Sequence, residues 1–476
     1  MTIEKPLVLD VDGTFLRTDM LHENFWAGMG TAPLRTLLAT LRHLRDPAAL
    51  KAELVQIAPL RTDLLPVNAE VAELALQSRL AGREVVLASA GDRSLVARLA
   101  ADYGFSERVF ASDGVTNLKG PAKAKALVDA YGEGGFDYAG NGAVDIPVWE
   151  KAENALVVGH VPSARALAAN GHNVVELPGG WTFRALLRAM RPHQWVKNVL
   201  LLLPMLASHR FGLDTLVPIL WGMAAFSLAA STIYIANDLL DLEADRLHPT
   251  KCRRAFASGA VPIGVGMAAM VGLGAAALLI AVLLSPGFLL VTLLYMALSL
   301  AYSLRLKRTR WVDVTMLAAL YTIRVVAGAS AAAVEVSIYM LIFVFPIFFT
   351  LGCVKRITEL SRATGNETLP GRGYGRADLA DLRNVAGIGV VGALVIFLLY
   401  SVSDQGTTLY PTTWLLWAAM VPMAIWMVRM VNLAWHGRQD YDPIVFALRD
   451  PVGLGLLMLI LSLMFWAAGL WQQWFG

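Results

Sequence analysis

The feature that most constrains this chain is a series of long apolar segments that begins at Trp195. Most of them approach the roughly 20 residues that a helix needs to cross a bilayer. Nine can be counted, at about 195–209, 214–236, 261–284, 287–304, 312–333, 337–354, 384–402, 411–431 and 452–472. The first segment is short and contains Pro204. The pattern predicts an all-α polytopic membrane domain of nine transmembrane helices over residues 193–476.

The first 190 residues have a different composition, with frequent charges and only short apolar runs. They predict a soluble domain over 1–183, followed by a basic junction at 184–192. Residues 1–6 are polar and the apolar run after them is short, which is unlike a signal peptide. A formal net charge of +3 gives no reason to expect nucleic acid as a partner, and two distant cysteines give no disulfide framework or zinc spacing.

The basic residues of the membrane part fall in alternate loops, around 246–254, 305–310, 355–383 and 429–449. The positive-inside rule assigns these loops to the cytoplasm, where an untranslocated N-terminal domain also lies. We therefore expect an integral protein of a bacterial inner membrane with its soluble domain and active-site loops in the cytoplasm. An odd number of spans puts the C-terminus outside.

A pair of acid residues follows the first buried strand pattern of the soluble part. Residues 7–9 are apolar, and Asp10, Asp12 and Gly13 come directly after them. Alternate residues of a strand share a face, so the two carboxylates leave its carboxyl end together. This placement suits a nucleophile beside an acid or base.

Other strand patterns of the soluble part also end in polar residues. One ends at Ser89, another is followed by Asn141 and Asp145, and Lys123 opens a helical stretch between them. Alternating strands and helices predict an α/β domain with a Rossmann-type parallel sheet whose site lies at the strand carboxyl ends. Residues of about 20–78 are predicted to form a small helical cap.

These residues, in this order, resemble the haloacid dehalogenase (HAD) superfamily of phosphatases over about residues 5–175. The resemblance implies that Asp10 attacks phosphorus and forms an aspartyl phosphate, while Asp12 protonates the leaving oxygen. It implies that Ser89 and Lys123 hold the phosphoryl oxygens, with Lys119 and Lys125 as alternatives to Lys123.

The same resemblance implies a Mg²⁺ site formed by Asp10, Asn141 and Asp145. The family often has Asp at the position of Asn141, so this chain has one negative charge fewer near the metal. A regulatory domain that has lost phosphatase chemistry is the alternative.

Four polar residues lie at the inner end of the second predicted span: Asn237, Asp238, Asp241 and Asp245. Asn237, Asp241 and Asp245 recur every four residues and so share one face of a helix. Neighbouring carboxylates repel unless a cation joins them, and Mg²⁺ prefers hard oxygen ligands and substrate phosphates. Ionisable groups beside apolar sequence are usually functional. The pattern predicts a Mg²⁺ and phosphate site with Asp238, Asp241 and Asp245 as ligands, Asp238 and Asp241 acting in catalysis.

The full pattern from Asn237 to Lys251, with His248 and Pro249, resembles the first signature of the UbiA superfamily of intramembrane prenyltransferases. The likeness covers about residues 190–476 and implies a nine-helix fold and an enzyme that ionises a Mg²⁺-bound diphosphate. The aromatic-substrate branch has a second aspartate cluster after the sixth span. This chain has Lys355 and Arg356 there instead.

That departure, together with the motifs at 191–198 and 442–450, resembles the decaprenyl-phosphate phosphoribosyltransferase branch. The resemblance implies transfer of phosphoribose from phosphoribosyl pyrophosphate to a polyprenyl phosphate, with basic side chains holding the 5-phosphate. It suggests Asp313 for the ribose or a metal and Arg324 for a phosphate; a buried pair with a carboxylate is the alternative for Arg324. The substrate-binding candidates in this half are Lys197, Asn237, Lys251, Arg254, Lys307, Asp313, Arg324, Lys355, Arg356 and Glu359.

Together the two halves predict a bifunctional membrane enzyme whose HAD domain removes the 5-phosphate of the lipid product. The main alternative is prenyl transfer from a polyprenyl diphosphate to an aromatic acceptor such as 4-hydroxybenzoate, or to a lipid. A scaffold or transporter without enzyme activity is a third reading, but its charges would line a path through the bilayer, whereas here they gather at one surface. A homo-oligomer is compatible with the sequence.

Overall fold

The computed structural model describes residues 5–335, 337–363, 373–439 and 442–475. Arg372, which belongs to the basic loop at 355–383, lies outside the described residues. The chain divides into two compact units. The first contains Met1–Met190 and Tyr234–Val271, and the second contains Arg191–Ile233 and Gly272–Gly476. The segment with the predicted Mg²⁺ ligands therefore belongs to the same compact unit as the soluble domain.

The N-terminal part contains a six-stranded parallel sheet in the order β3-β2-β1-β4-β5-β6. The strands are β1 Leu7–Leu9, β2 Val85–Asp92, β3 Phe110–Ser112, β4 Asp137–Gly140, β5 Asn154–Val158 and β6 Asn173–Leu177. The strand order reverses direction between β1 and β4, which is where open α/β sheets carry their ligands. The predicted parallel sheet is confirmed. The strand Asp137–Gly140 is the fourth in the chain, because Phe110–Ser112 precedes it.

Side-chain alternation along β1 builds the two cores of the sheet. Leu7 and Leu9 pack into one apolar cluster and Val8 into the other, as the period of two in a strand requires. The first strand, Leu7–Leu9, is apolar and fully buried, as expected for a central strand of a parallel sheet. The helices and 3₁₀ turns of this part are Met20–Thr31, Pro33–Arg42, Pro47–Ile57, Thr62–Leu64, Ala69–Leu80, Arg93–Asp102, Pro121–Tyr131, Ala143–Asp145, Ile146–Trp149, Pro162–Ala164, Arg165–Ala169 and Phe183–Ala189.

The helices between β1 and β2 form two groups. Met20–Thr31, Pro33–Arg42 and Pro47–Ile57 pack on one another. Ala69–Leu80 instead buries Val71 and Ala75 in the core of the sheet. The helical group therefore ends near residue 57, and 69–80 is part of the sheet layer rather than of a cap reaching to 78.

Seven helices of the described residues are long and apolar enough to cross a membrane, so this is an integral membrane protein. They are Leu213–Leu240, Ile263–Leu284, Pro286–Leu304, Val312–Ala332, Ile338–Arg362, Arg376–Ser401, of which Leu379–Ser401 is α-helical, and Thr413–Trp435. The shorter elements of this part are Pro192–Leu202, Leu203–Ser208, Leu242–Leu247, Lys251–Arg253, Leu306–Arg308, Asp404–Leu409, Pro443–Ala447, Pro451–Ala467 and Leu470–Phe475.

The prediction of nine spanning helices is not confirmed. The first predicted span is a 3₁₀ helix, Pro192–Leu202, followed by the short α-helix Leu203–Ser208, with Pro204 near the join. Pro lacks an amide hydrogen and disfavours a continuous α-helix at this point. The last predicted span is an α-helix of 17 residues, Pro451–Ala467, which is shorter than the other seven.

Candidate functional site

The acid pair of the soluble domain lies at the carboxyl end of β1, as predicted. Asp10 is 7% exposed, and Thr14 Oγ1 donates to its Oδ2 at 3.2 Å. Asp12 Oδ1 accepts from the backbone N of Met20 at 2.8 Å, and its Oδ2 accepts from Ser89 Oγ at 3.1 Å. The structure therefore brings three of the predicted residues, Asp10, Asp12 and Ser89, to one edge of the sheet.

Lys123 connects Asp10 to the acid after β4. Its Nζ lies 2.5 Å from Asp10 Oδ1, 2.9 Å from the hydroxyl of Tyr138 and 3.8 Å from Asp145 Oδ1. The Tyr138 hydroxyl in turn donates to Asp145 Oδ1 at 2.9 Å. Lys123 is 4% exposed, whereas Lys125 on the same helix is exposed. Of the alternatives Lys119, Lys123 and Lys125, it is Lys123 that bonds Asp10.

Burial raises the pKa of both acids of the pair, and the charges of their neighbours then set the two pKa values apart. Desolvation raises the pKa of Asp10 to about 6, although Lys123 opposes the shift. Desolvation, with the negative charges of Asp19 and Asp10, raises the pKa of Asp12 to about 7. At neutral pH, Asp10 is mostly ionised, as a nucleophile must be, while a large share of Asp12 carries a proton that it can donate.

Asn141 and Asp145 reach the same edge from the segment after β4. Asp145 Oδ2 accepts from the backbone N atoms of Asn141 and Gly142, both at 3.1 Å. The Asn141 side chain packs against Gly13, and its Cγ is 3.1 Å from where a Cβ of Gly13 would lie. Gly13 has φ of +78°, so a side chain there would be both strained and obstructed.

One residue near this site was missed by sequence reasoning. Lys51, on helix Pro47–Ile57, donates to Ala90 O at 2.6 Å and to Asn117 Oδ1 at 3.3 Å. Burial lowers its pKa, and Asp12 and Asp19 are near enough to oppose that shift. Lys51 thus adds a positive charge from the helical group. Its position 39 residues before Ala90 gives no local sequence signal.

The second acid group lies where helix Leu213–Leu240 ends. The helix is interrupted at Asp241, which caps the short helix Leu242–Leu247. The backbone bonds from Asp241 N to Asn237 O, at 3.0 Å, and from Asp245 N to Asp241 O, at 2.8 Å, persist through the interruption. The four-residue pattern of backbone bonds therefore continues across the interruption, although the helix itself is not continuous.

Arg254 gathers two of these acids. Its Nη1 donates to Asp245 Oδ2 at 2.8 Å and to Asp238 Oδ1 at 3.2 Å. Asp238 and Asp245 are 3% and 2% exposed, and burial raises the pKa of Asp245 although Arg254 lowers it. Lys251 begins the 3₁₀ turn Lys251–Arg253 and is exposed.

A cation suits both acid groups. Among the residues that the structure describes, no three carboxylate, thiol or imidazole groups converge into a ready-made metal site. Each group does bring an amide side chain, Asn141 in one and Asn237 in the other, and Asn237 Oδ1 is buried without a hydrogen-bond partner. Mg²⁺ often uses one or two carboxylates and completes its shell with water and substrate phosphates. The residues present fit that kind of site.

Basic side chains of the second unit cluster around Asp442. Lys197 and Asp442 form an ion pair with side chains 9% and 12% exposed. Asp442 also caps helix Pro443–Ala447 by accepting from Ile444 N at 3.2 Å. Although burial raises the pKa of Asp442, the charges of Lys197 and Lys355 bring it below its usual value. Asp442 therefore pairs directly with Lys197, and Lys355 is near enough to act on it through its charge.

Arg356 and Asp313 are paired with each other inside the second unit. Both side chains are fully buried, and the Arg356 guanidinium donates to both Asp313 oxygens, with Nη2 to Oδ1 at 3.1 Å. Tyr302 donates to Asp313 at 2.9 Å, and Glu359 pairs with Arg356. Arg356, Asp313 and Glu359 thus belong to one network of ion pairs and hydrogen bonds. Lys307 is half-buried in the 3₁₀ turn Leu306–Arg308.

Arg324 is buried among neutral groups. Its Nε donates to Asn198 Oδ1 at 3.2 Å and its Nη2 to the Tyr295 hydroxyl at 3.1 Å, while the guanidinium lies 4.9 Å from the Tyr295 ring centroid. In the described parts of the chain its hydrogen bonds all go to uncharged groups. Among the described residues Arg324 therefore has no carboxylate partner, and the alternative of a buried ion pair is not supported there.

Comparison with known proteins identifies the family of this chain. The UbiA prenyltransferase family matches residues 199–447, more than half of the chain. The chain belongs to the UbiA prenyltransferase family. That match includes the whole Asn237–Asp245 segment, so the family assigned from the motif is confirmed.

Two relatives of this UbiA-family chain cover different lengths of it. An uncharacterized protein, y4nM, of Sinorhizobium fredii is 34% identical over 464 residues, covering 96% of this chain and 90% of the relative. The decaprenyl-phosphate phosphoribosyltransferase of Mycobacterium tuberculosis is 33% identical over 286 residues, covering 59% of this chain and 93% of the relative. A solved phosphoserine phosphatase matches 36% of this chain and 92% of its own, at 18% identity and a TM-score of 0.24.

Proposed function

We propose that the membrane half transfers phosphoribose from phosphoribosyl pyrophosphate to a polyprenyl phosphate in a Mg²⁺-dependent reaction. The observation that carries the proposal is the group of basic charge at Asp442, where Lys197 forms an ion pair and Lys355 acts through its charge. Lys355 stands where an aromatic prenyltransferase has further acids. The similarity to a decaprenyl-phosphate phosphoribosyltransferase over 93% of that relative supports it.

The charges of the donor match these groups in kind. Phosphoribosyl pyrophosphate has a diphosphate and a separate 5-phosphate. Asn237, Asp238, Asp241 and Asp245 suit the Mg²⁺ that accompanies the diphosphate, which would take up charge on the leaving group. Excess positive charge beside Asp442 suits a phosphate.

In the reaction, the bond from ribose C1 to pyrophosphate breaks and a bond from C1 to an acceptor phosphate oxygen forms. The acceptor is already ionised, so no side chain has to remove a proton from it. The developing positive charge on the sugar and negative charge on the leaving group are stabilised electrostatically by groups held in place beforehand. The network of Arg356, Asp313 and Glu359 supplies rigidity rather than a free phosphate ligand.

One experiment separates the two transferase reactions. Purified full-length protein is given radiolabelled phosphoribosyl pyrophosphate with polyprenyl phosphate, and separately a polyprenyl diphosphate with 4-hydroxybenzoate. We expect a new lipid product only in the first mixture, where it carries the label. Asp241→Asn protein should form no product in either mixture. Product only in the second mixture would replace this proposal with aromatic prenyl transfer.

We further propose that the N-terminal domain is a HAD-type phosphatase that removes the 5-phosphate of the lipid product. Asp10 attacks phosphorus while Asp12 gives a proton to the departing oxygen, and water then cleaves the aspartyl phosphate. Ser89, Lys123 and Lys51 supply hydrogen bonds and positive charge for the phosphoryl oxygens. Asp10, Asn141 and Asp145 would hold the Mg²⁺, which would offset the negative charge of the phosphoryl group; two backbone amides and Tyr138 fix the Asp145 carboxylate.

This role is tested by lipid analysis. Asp10→Asn protein that still transfers phosphoribose should accumulate the phosphorylated lipid, whereas the unmodified protein releases inorganic phosphate from it. Equal dephosphorylation by both proteins would contradict the role of Asp10. Asp137→Asn serves as a control. Asp137 is also a buried acid, but it lies at the start of β4 and bonds Arg83 and Asn154 rather than residues of the proposed phosphatase site.

The basic loops and the N-terminal domain are proposed to face the cytoplasm. Cys252 lies in one of these loops and is partly accessible, whereas Cys353 is buried. In spheroplasts a membrane-impermeant maleimide should label Gln473→Cys protein lacking Cys252 but should not label Cys252 in the unmodified protein. The opposite labelling would reverse the orientation.

A further inference from the structure

A buried ion pair joins the phosphatase domain to the acid-bearing segment of the transferase, inside one compact unit. Arg246 Nη2 and Nη1 donate to Glu23 Oε1 and Oε2 at 2.5 and 3.1 Å. The two side chains are 8% and 2% exposed. This is the bidentate geometry in which arginine and carboxylate interact most strongly, and burial protects it from screening by salt.

The phosphatase end of the pair is tied to the phosphatase site. Glu23 lies in the first turn of helix Met20–Thr31, and the backbone N of Met20 at the start of that helix donates to Asp12. Thr18 Oγ1 donates to Glu23 Oε1 at 2.6 Å, which fixes the carboxylate further. Glu23 is thus held in place from the same short loop that holds the proposed general acid.

The transferase end is tied to the acid group. Arg246 directly follows Asp245, and its Nε donates to Ala257 O at 3.2 Å, so one side chain connects helix Leu242–Leu247 to the turn that follows Arg254. Arg254 in turn holds Asp245 and Asp238. The position of two proposed Mg²⁺ ligands therefore depends on where Arg246 is held.

A second contact supports the same docking. Gly259 has φ of +67°, and a Cβ there would lie 2.9 Å from Arg17 O and 3.2 Å from Pro66 Cγ. Only a residue without a side chain allows the backbone of this turn to come so close to the phosphatase domain.

We propose that the Glu23–Arg246 pair holds the acid-bearing segment in its working position, so that the phosphatase domain is a positioning element of the transferase Mg²⁺ site. The inference rests on the proposed function only in assigning Mg²⁺ to Asp238 and Asp245. The docking itself does not depend on which substrate the transferase uses. Glu23 and Arg246 are positioning residues, since neither has a proposed contact with substrate or metal.

The test uses full-length protein in detergent, with Glu23→Gln, Arg246→Gln and the charge swap Glu23→Arg with Arg246→Glu. Glu243→Gln, an exposed acid on the same short helix, is the matched control. Amide hydrogen exchange of residues 241–257 is measured without Mg²⁺, and the Mg²⁺ dependence of transfer is measured separately. Glutamine keeps the shape of Glu23, so this variant is expected to fold.

Each single variant should raise exchange of the segment by about 2- to 30-fold, the range expected for energetic coupling through a packed network. The Mg²⁺ concentration for half-maximal transfer should rise by a similar factor with a smaller change in kcat. The charge swap should partly reverse the faster exchange and the higher Mg²⁺ requirement.

Exchange no faster than in Glu243→Gln protein would overturn the docking. Faster exchange with an unchanged Mg²⁺ requirement would overturn the link to the metal site, and absence of phosphoribosyl transfer in every protein would count against the proposed function alone.

Discussion

Replacing Lys123 with Met should destabilise the N-terminal domain in a way that depends on pH. Lys123 is nearly fully buried, bonds Asp10 at 2.5 Å and is one of the causes that lower the pKa of Asp10. Its own pKa is raised, because the carboxylates of Asp10 and Asp145 outweigh the lowering effect of burial. Lysine is therefore charged throughout the acid and neutral range, and the pH dependence comes from Asp10.

The size of the effect follows from the shifted pKa of Asp10. A carboxyl group whose pKa is higher in the folded protein contributes stability at low pH and loses it as the pH rises through the folded pKa. In the unmodified protein this loss begins near the ordinary value of 3.8 and ends near 6. Without Lys123 the pKa moves further up, so the loss continues at about 1.4 kcal/mol for each pH unit above 6. The stability difference between the two proteins should therefore grow by about 2 to 3 kcal/mol from pH 5 to pH 8.

The assay is thermal unfolding of full-length protein in metal-free detergent buffer at several pH values. The increase in the stability difference between the two proteins corresponds to roughly 5 to 10 °C in Tm for a domain of this size. Lys125→Met, at an exposed position of the same helix, should show a small difference that does not change with pH. A Tm difference for Lys123→Met that is constant from pH 5 to pH 8 would refute the electrostatic account and leave only a packing effect.

Three further outcomes are expected. The phosphatase kcat/KM should fall above about pH 7, because Asp12 has a pKa of about 7 and must be protonated to act as an acid; a profile that stays flat to pH 9 would exclude that role. Lys51→Met should raise the KM for the phosphate substrate with little change in Tm, since among the described residues Lys51 bonds a backbone carbonyl, Ala90 O, and the amide side chain of Asn117. Asp442→Asn should destabilise the membrane half, as loss of one partner from a buried pair costs about 3 to 5 kcal/mol, and Lys197→Met in the same protein should recover part of the loss; a purely additive double variant would argue against the pair.

Local sequence patterns predicted the elements that short-range physics determines. The apolar run before Asp10, the period of two in the strands and the length of seven apolar segments each depend on neighbouring residues. The first and last predicted spans are not confirmed, because apolar composition does not report where a helix breaks or stops. At Pro204 the chain changes from a 3₁₀ to an α-helix, and Pro451–Ala467 ends after 17 residues.

Residue types were predictable at both acid groups, but their partners were not. The spacing of Asn237, Asp241 and Asp245 indicated a cation, yet nothing in it showed that Arg254 would hold two of the acids. Likewise, Arg356 was expected to bind phosphate, whereas the structure encloses it between Asp313 and Glu359. The separations of these pairs range from 3 residues, for Arg356 and Glu359, to 43, for Arg356 and Asp313, and the sequence offers several complementary charges at such separations.

The acid-bearing segment shows why the boundary between the halves is not a boundary between functions. Sequence comparison assigns Asn237–Asp245 to the UbiA family, whereas packing assigns the same residues to the compact unit of the soluble domain. Arg246 and Glu23 are 223 residues apart, so their pairing brings the transferase segment to the loop that positions Asp12. Carboxylates that must hold a metal against a charged substrate need fixed positions, because any reorganisation during the reaction subtracts from the electrostatic stabilisation of the transition state. The acids Asp241 and Asp245 lie where a long helix gives way to a helix of six residues. In our proposal the N-terminal domain supplies the missing rigidity through the buried Glu23–Arg246 pair.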